Sequence, residues 1–166
     1  MLLTEERRIS VMSDTGGPYL FDVGVIALAH SSAPVRDAAL SYVREGIAGE
    51  IDAVVPYPAL FGAHTVLTTY YGYSNGDASR LLENFMDASR IHWYDQMSQD
   101  VVRGAFSRAG EANVGGWDGY YAQVAINEGV GTVLTIDDDF ERFDAFETEV
   151  ILSPDEFAEL NSFLQS

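Results

Sequence analysis

Short apolar runs of about four residues, set apart by stretches long enough for a helix, constrain this chain more than any other feature. Runs at 19–22, 52–55, 91–94, 133–136 and 149–152 read as strands. Between them the apolar residues recur at spacings of three and four, as on one face of a helix. One such helix is expected over 34–49, with Pro34 at its first position and Val35, Ala38, Ala39, Tyr42 and Val43 mostly on one face. Others are expected at 58–71, 74–88, 98–109, 118–128 and 153–164, with 110–116 as a flexible connection and Gly129 as a left-handed stop. Strands this short, alternating with helices, predict an α/β fold: three layers, with a central parallel sheet of about five strands covered on both faces.

At 166 residues the chain is long enough for one domain with a substantial core. Residues 1–16 are charged and lack sustained periodicity, so they are expected to be a disordered N-terminal segment ahead of a single domain over 17–166. The longest apolar run, 23–29, is too short to span a bilayer, and no signal-peptide pattern precedes it. A cytoplasmic protein with no membrane partner is expected. The absence of cysteine excludes disulfides, zinc-thiolate sites and a cysteine nucleophile.

The charge balance is unusual. Twenty-six acidic residues face nine basic ones, all arginine, for a net charge of −17. Self-repulsion on that scale opposes a compact state in dilute buffer, and multimolar salt removes it by shrinking the Debye length to roughly 3 Å or less. A salt-rich cytoplasm, as in halophilic archaea, is the expected setting.

Carboxylates stand where strands hand over to loops or helices. Asp22 follows Tyr19-Leu20-Phe21, Asp137 follows Val133-Leu134-Thr135-Ile136 with Asp139 just beyond, and Asp118 opens an apolar helix. Parallel sheets bind ligands at the carboxyl ends of their strands, near a switch in strand order. Converging there, these acids would offer hard oxygen ligands suited to Mg²⁺ or Mn²⁺. In so acidic a chain each acid also has an ordinary explanation. Asp118 and Asp139 could stabilise helix N-termini, and Asp138, Glu141 and Asp144 read as a solvated face. Asp22, between Phe21 and Val23, is the hardest to explain that way, because a buried carboxylate is costly unless paired.

The motifs Tyr19-Leu20-Phe21-Asp22, Val55-Pro56-Tyr57-Pro58-Ala59-Leu60, Trp117-Asp118-Gly119-Tyr120-Tyr121-Ala122 and Thr135-Ile136-Asp137-Asp138-Asp139-Phe140 resemble those of the PIN-domain family, the metal-dependent nucleases that include VapC-like toxins. The resemblance covers about residues 18–155. It implies a five-stranded parallel sheet, with Asp22, Asp118 and Asp137 as metal ligands. Asp139 would join them as a catalytic acid that binds a second ion or orients water, and RNA would be the substrate. It also implies a possible antitoxin partner and a possible homodimer. Where the family places a Glu, this chain has Gly62. His64 and Thr135 are auxiliary candidates, although a residue two positions from 62 points about 200° away on a helix. The expected function is a divalent-metal-dependent endoribonuclease, and the resemblance implies the toxin of a toxin–antitoxin pair as its setting. The alternative is a degenerate PIN module that binds RNA or a protein without cutting. Tyr57, Tyr70, Tyr71, Tyr73, Tyr120 and Tyr121 could stack on bases or cover the core, and Arg80, Arg90, Arg103 and Arg108 could contact phosphate or pair with surface acids.

Overall fold

The computed structural model describes residues 17–166, so the expectation for residues 1–16 lies outside the described residues. Five strands, β1 (Tyr19–Phe21), β2 (Ala53–Pro56), β3 (His92–Tyr94), β4 (Thr132–Thr135) and β5 (Glu147–Val150), form one sheet in the order β3-β2-β1-β4-β5. Every pairing is parallel. Helices α1 (Val23–His30), α2 (Asp37–Ala48), α3 (Tyr57–Thr69), α4 (Asn75–Met86), α5 (Gln99–Ala112), α6 (Gly116–Asn127) and α7 (Pro154–Gln165) cover it in a three-layer α/β/α arrangement, with a 3-10 turn at Asp139–Arg142. Among the described residues no helix is long and apolar enough to cross a membrane.

The inner strands are buried along their whole length, which is why they read as continuous apolar runs. Leu20, Phe21, Ile26, Leu28, Val55 and Leu134 lie at the centre of one hydrophobic cluster. Capping follows the local chemistry. Ser74 and Ser98 accept from the backbone N–H three residues on, and Ser153 and Glu156 complete a reciprocal box at the start of α7. Gly129 takes the left-handed conformation beyond α6 (φ 63°).

Most boundaries differ from the expectation by one to three residues, and three of them have a clear physical reason. Helix α2 begins at Asp37, because residues 34–36 form a turn. Helix α5 continues through Gly110 to Ala112 and ends on Asn113 in the left-handed region, so the connection to α6 is only 113–115. Strand β5 lies two residues earlier than its apolar run. It is an edge strand whose ladder with β4 begins at Thr132 opposite Glu147, and its exposure alternates, so pairing rather than apolarity sets its limits.

The helix hairpin α5–α6 is unusually close. A β-carbon on Gly119 would collide with the carbonyl oxygen of Ala105 and lie 2.9 Å from Ala109 Cβ. Backbone is in the way, and it cannot rotate aside. Gly119→Ala is therefore expected to destabilise the fold by about 1–3 kcal/mol, despite alanine's better helix propensity, and thermal unfolding measures it.

Candidate metal centre at the carboxyl ends of β1 and β4

The order β3-β2-β1-β4-β5 places the chain's switch point between β1 and β4, from which the sheet grows outward in both directions. Register then fixes which side chains meet there. Phe21 pairs with Leu134, and the Asp22 N–H donates to the Leu134 carbonyl at 3.0 Å. That brings Asp22 alongside Thr135. The Thr135 hydroxyl, fully buried, donates to Asp22 Oδ2 at 3.1 Å and lies 3.5 Å from Asp137 Oδ1. The Asp137 N–H donates back to Thr135 Oγ1 at 3.3 Å. One hydroxyl thus joins two carboxylates that are 115 positions apart in sequence.

Asp22 is only 9% exposed. Burial pushes its carboxyl up to about 7, and the nearby charges of Asp137 and Asp118 push the same way, against the Val23 amide and the Thr135 hydroxyl. Asp118, in the first turn of α6, is therefore within electrostatic reach of Asp22. Tyr121, one turn further along that helix, belongs to the same neighbourhood. Its phenol is raised first by burial, then by Asp22, Tyr120 and Asp118.

The donor chemistry fits a hard divalent cation. Carboxylate oxygens and a hydroxyl gather there, and the buried Asp22 carries a charge that a cation would neutralise. Among the described residues, however, no group of three or more His, Asp or Glu is arranged to hold one ion. The structure joins Asp22 and Asp137 through Thr135 and places Asp118 within electrostatic reach of Asp22. Asp139 opens the 3-10 turn two residues after Asp137.

The remaining sequence candidates separate clearly. Thr135 is in the site. His64 is turned to α4, where its Nε2 lies 3.1 Å from Ser79 Oγ and 3.3 Å from the Asn75 carbonyl. Gly62 is where α3 meets the start of α1. A β-carbon there would lie 2.8 Å from Val23 Cγ2, next to the residue that carries the buried acid. Asp138, Glu141 and Asp144 are exposed. Tyr120 and Tyr121 are each 4% exposed and are core cover, not stacking surfaces. Arg80 and Arg108 pair with Asp77 and Glu111, and Arg90 donates to the Ala48 carbonyl. Two further residues were given no role by sequence reasoning. Trp117 precedes Asp118 and is 60% exposed. Arg142 reaches from the 3-10 turn to donate to the Asn113 carbonyl at 2.9 Å. The exposed tryptophan beside an acid was the one available sign of the first; nothing local marked the second.

The fold is similar to two solved structures. One is PAE2754 from Pyrobaculum aerophilum, at 16% identity over 80% of this chain and 83% of that one, with a TM-score of 0.57. The other is FitAcB from Neisseria gonorrhoeae, at 20% identity over 78% of this chain and 95% of that one, with a TM-score of 0.52. No protein-family model and no curated protein matches the sequence. At these identities the likeness is one of fold, and the three-layer parallel arrangement expected of a PIN-like domain is the one found.

The raised carboxyl of Asp22 has a thermodynamic consequence. A folded-state value of about 7 against 3.8 means the native state binds the extra proton between those pH values, so stability falls as pH rises through that window. In metal-free protein, Asp22→Asn is expected to raise the unfolding temperature at pH 8, by up to roughly 4 kcal/mol of stability, and to have little effect near pH 4. Melting curves of both proteins across that range measure the difference.

Proposed function

We propose that this protein is a divalent-metal-dependent endoribonuclease of the PIN type, working in a salt-rich cytoplasm. The observation that carries the reading is the pair Asp22–Asp137, bridged by Thr135 at the switch point of a parallel sheet, with Asp118 in electrostatic reach. A buried carboxylate pushed towards neutrality is costly without a counter-charge, and sites of this kind gather at functional positions.

Asp22, Asp137 and Asp118 would hold the ion, and Mg²⁺ or Mn²⁺ there would supply a more acidic water and relief of charge on the phosphate. The chain's own groups do the rest. Thr135 orients both carboxylates, and the Asp137 N–H holds that hydroxyl in place. Tyr121, itself buried, lies within electrostatic reach of Asp22 and Asp118. Asp139, at the head of the 3-10 turn, would complete the set. Charge repulsion among the acids favours cation binding.

Gly62 supports a second reading, a PIN-like module that binds without cutting. Because Val23 occupies the space beside it, the position cannot take an acid without rearrangement. A protein partner also has structural support. Helices α3 and α4 flank an apolar groove of about 320 Å³, lined by Leu60, Leu82 and Met86, with Phe61 79% exposed at its edge. Such a groove suits the apolar face of an amphipathic helix, as an antitoxin would present; a homodimer is the other candidate.

Cleavage of RNA in high KCl with Mn²⁺ tests the first reading. Asp118→Asn and Asp137→Asn are each expected to lower the rate by at least about tenfold, with Mn²⁺ affinity falling in parallel by calorimetry. Equal rates for wild type and Asp118→Asn would remove the catalytic claim. Gly62→Glu alone is expected not to raise the rate, whereas Val23→Ala combined with Gly62→Glu makes the room that the added acid needs.

A further inference from the structure

The first turn of α1 is gripped from two sides. On one side Val23 fills the space beside Gly62 of α3. On the other, Ile136, just past the end of β4, lies against Gly24. A β-carbon on Gly24 would stand 2.8 Å from Ile136 Cγ1 and 3.0 Å from its Cδ1, well inside ordinary van der Waals contact, and 3.9 Å from Asp22 Oδ2. Ile136 therefore fits against this turn because residue 24 has no side chain. Glycine is a weak helix former, so its place in α1 answers to that contact and not to propensity.

Each partner of the contact is close in sequence to an acid of the candidate metal centre. Asp22 is the N-cap of α1, and its carbonyl accepts from the Val25 and Ile26 N–H groups, both at 3.1 Å. The Asp22 side chain is thus tied to the turn that contains Gly24. Asp137 directly follows Ile136. Strand β4 ends at Thr135, whose carbonyl accepts from the Ile151 N–H at 2.9 Å, and residues 136–138 then leave the sheet as a bend. Past that point Ile136 is half-buried and packs on the hydrophobic core. Isoleucine is branched at Cβ and stiff at χ1, so a push on its Cγ1 passes to the backbone that carries Asp137.

We propose that Gly24 and Ile136 are a positioning pair for the metal centre, their close approach setting how far Asp137 stands from Asp22. The proposal rests on the metal-centre reading above and deepens it by naming what spaces two of the ligands. Thr135 gives the carboxylates a shared partner, but at 3.1 and 3.5 Å the longer of its contacts is weak and fixes direction better than distance. The acids also repel each other, since the charge of Asp137 disfavours ionised Asp22. Apolar packing has neither weakness, because close-packed side chains resist displacement. Spacing matters here because Mg²⁺ demands near-octahedral oxygen ligands at about 2.1 Å.

A double-mutant cycle in high KCl tests this, with Mn²⁺ affinity read by calorimetry and the Asp137 amide resonance read by NMR in metal-free protein. Gly24→Ala is expected to weaken Mn²⁺ binding at least about tenfold and to move that resonance. Ile136→Ala gives the new methyl room. In that background, adding Gly24→Ala should cost less than about twofold and leave the resonance where it was. Gly62→Ala presses on Val23 instead, so Ile136→Ala is expected not to suppress its effect. Thermal melts confirm that each variant is folded. Wild-type affinity and an unmoved resonance in Gly24→Ala would overturn the pair. Equal losses in both backgrounds would overturn it too, marking a general effect on the helix. If Gly24→Ala does not fold, Ile136→Ala alone decides: a loss of at least about threefold in Mn²⁺ affinity sustains the pair, and wild-type affinity overturns it. A wild type that binds no Mn²⁺ would sink the metal reading, while the resonance still decides whether the pair places Asp137.

Discussion

The parallel pairing of β1 with β4 is the constraint from which the acidic end of this protein follows. Because Tyr19, Leu20 and Phe21 register with Thr132, Val133 and Leu134, the next residue of each strand meets its counterpart at the rim of the sheet. Asp22 and Thr135 are those residues, and Asp137 curls back onto the Thr135 hydroxyl. A slip of one position would turn Asp22 to the other face and break the bridge. The apolar burial of Leu20, Phe21, Val133 and Leu134 holds the register, so the hydrophobic core and the charged site are two ends of one arrangement.

Around that rim, close approaches of backbone set what the pocket can contain. Gly62 allows α3 to rest against Val23, and Gly119 allows α6 to rest against α5. The first removes space where the PIN pattern has a carboxylate. The second holds the start of α6, which carries Trp117 and Asp118, against α5.

Much of this was legible in the residues. The apolar runs located all five strands, and Ser74, Ser153 and Gly129 act at helix ends as their chemistry requires. Asp22 stood out because a carboxylate inside an apolar run has few inexpensive explanations, and it proves to be buried and raised towards neutrality. Boundaries were less legible where no side chain states them. Helix α5 runs through Gly110 because packing on α6 outweighs a weak helix former, and β5 is placed by its ladder with β4. Tyr120 and Tyr121, open to either role from sequence, prove to be core cover. Tyr120 and Tyr121 have the same composition value as exposed rings, and only the direction of their helical face decides that they are buried.

Composition, periodicity and the positions of the acids thus determined the class of fold, the order of its elements and the strand ends where carboxylates would gather. These are properties of short segments, written in local spacing and polarity. Tertiary structure alone decided that Thr135 bridges Asp22 and Asp137, that Asp118 comes within electrostatic reach of Asp22, that His64 turns from α3 to Asn75 and Ser79 of α4, and that Trp117 is exposed beside Asp118. Each of those outcomes depends on which distant segments touch and on distances of a few ångströms between them, and no local pattern along the chain carries that information.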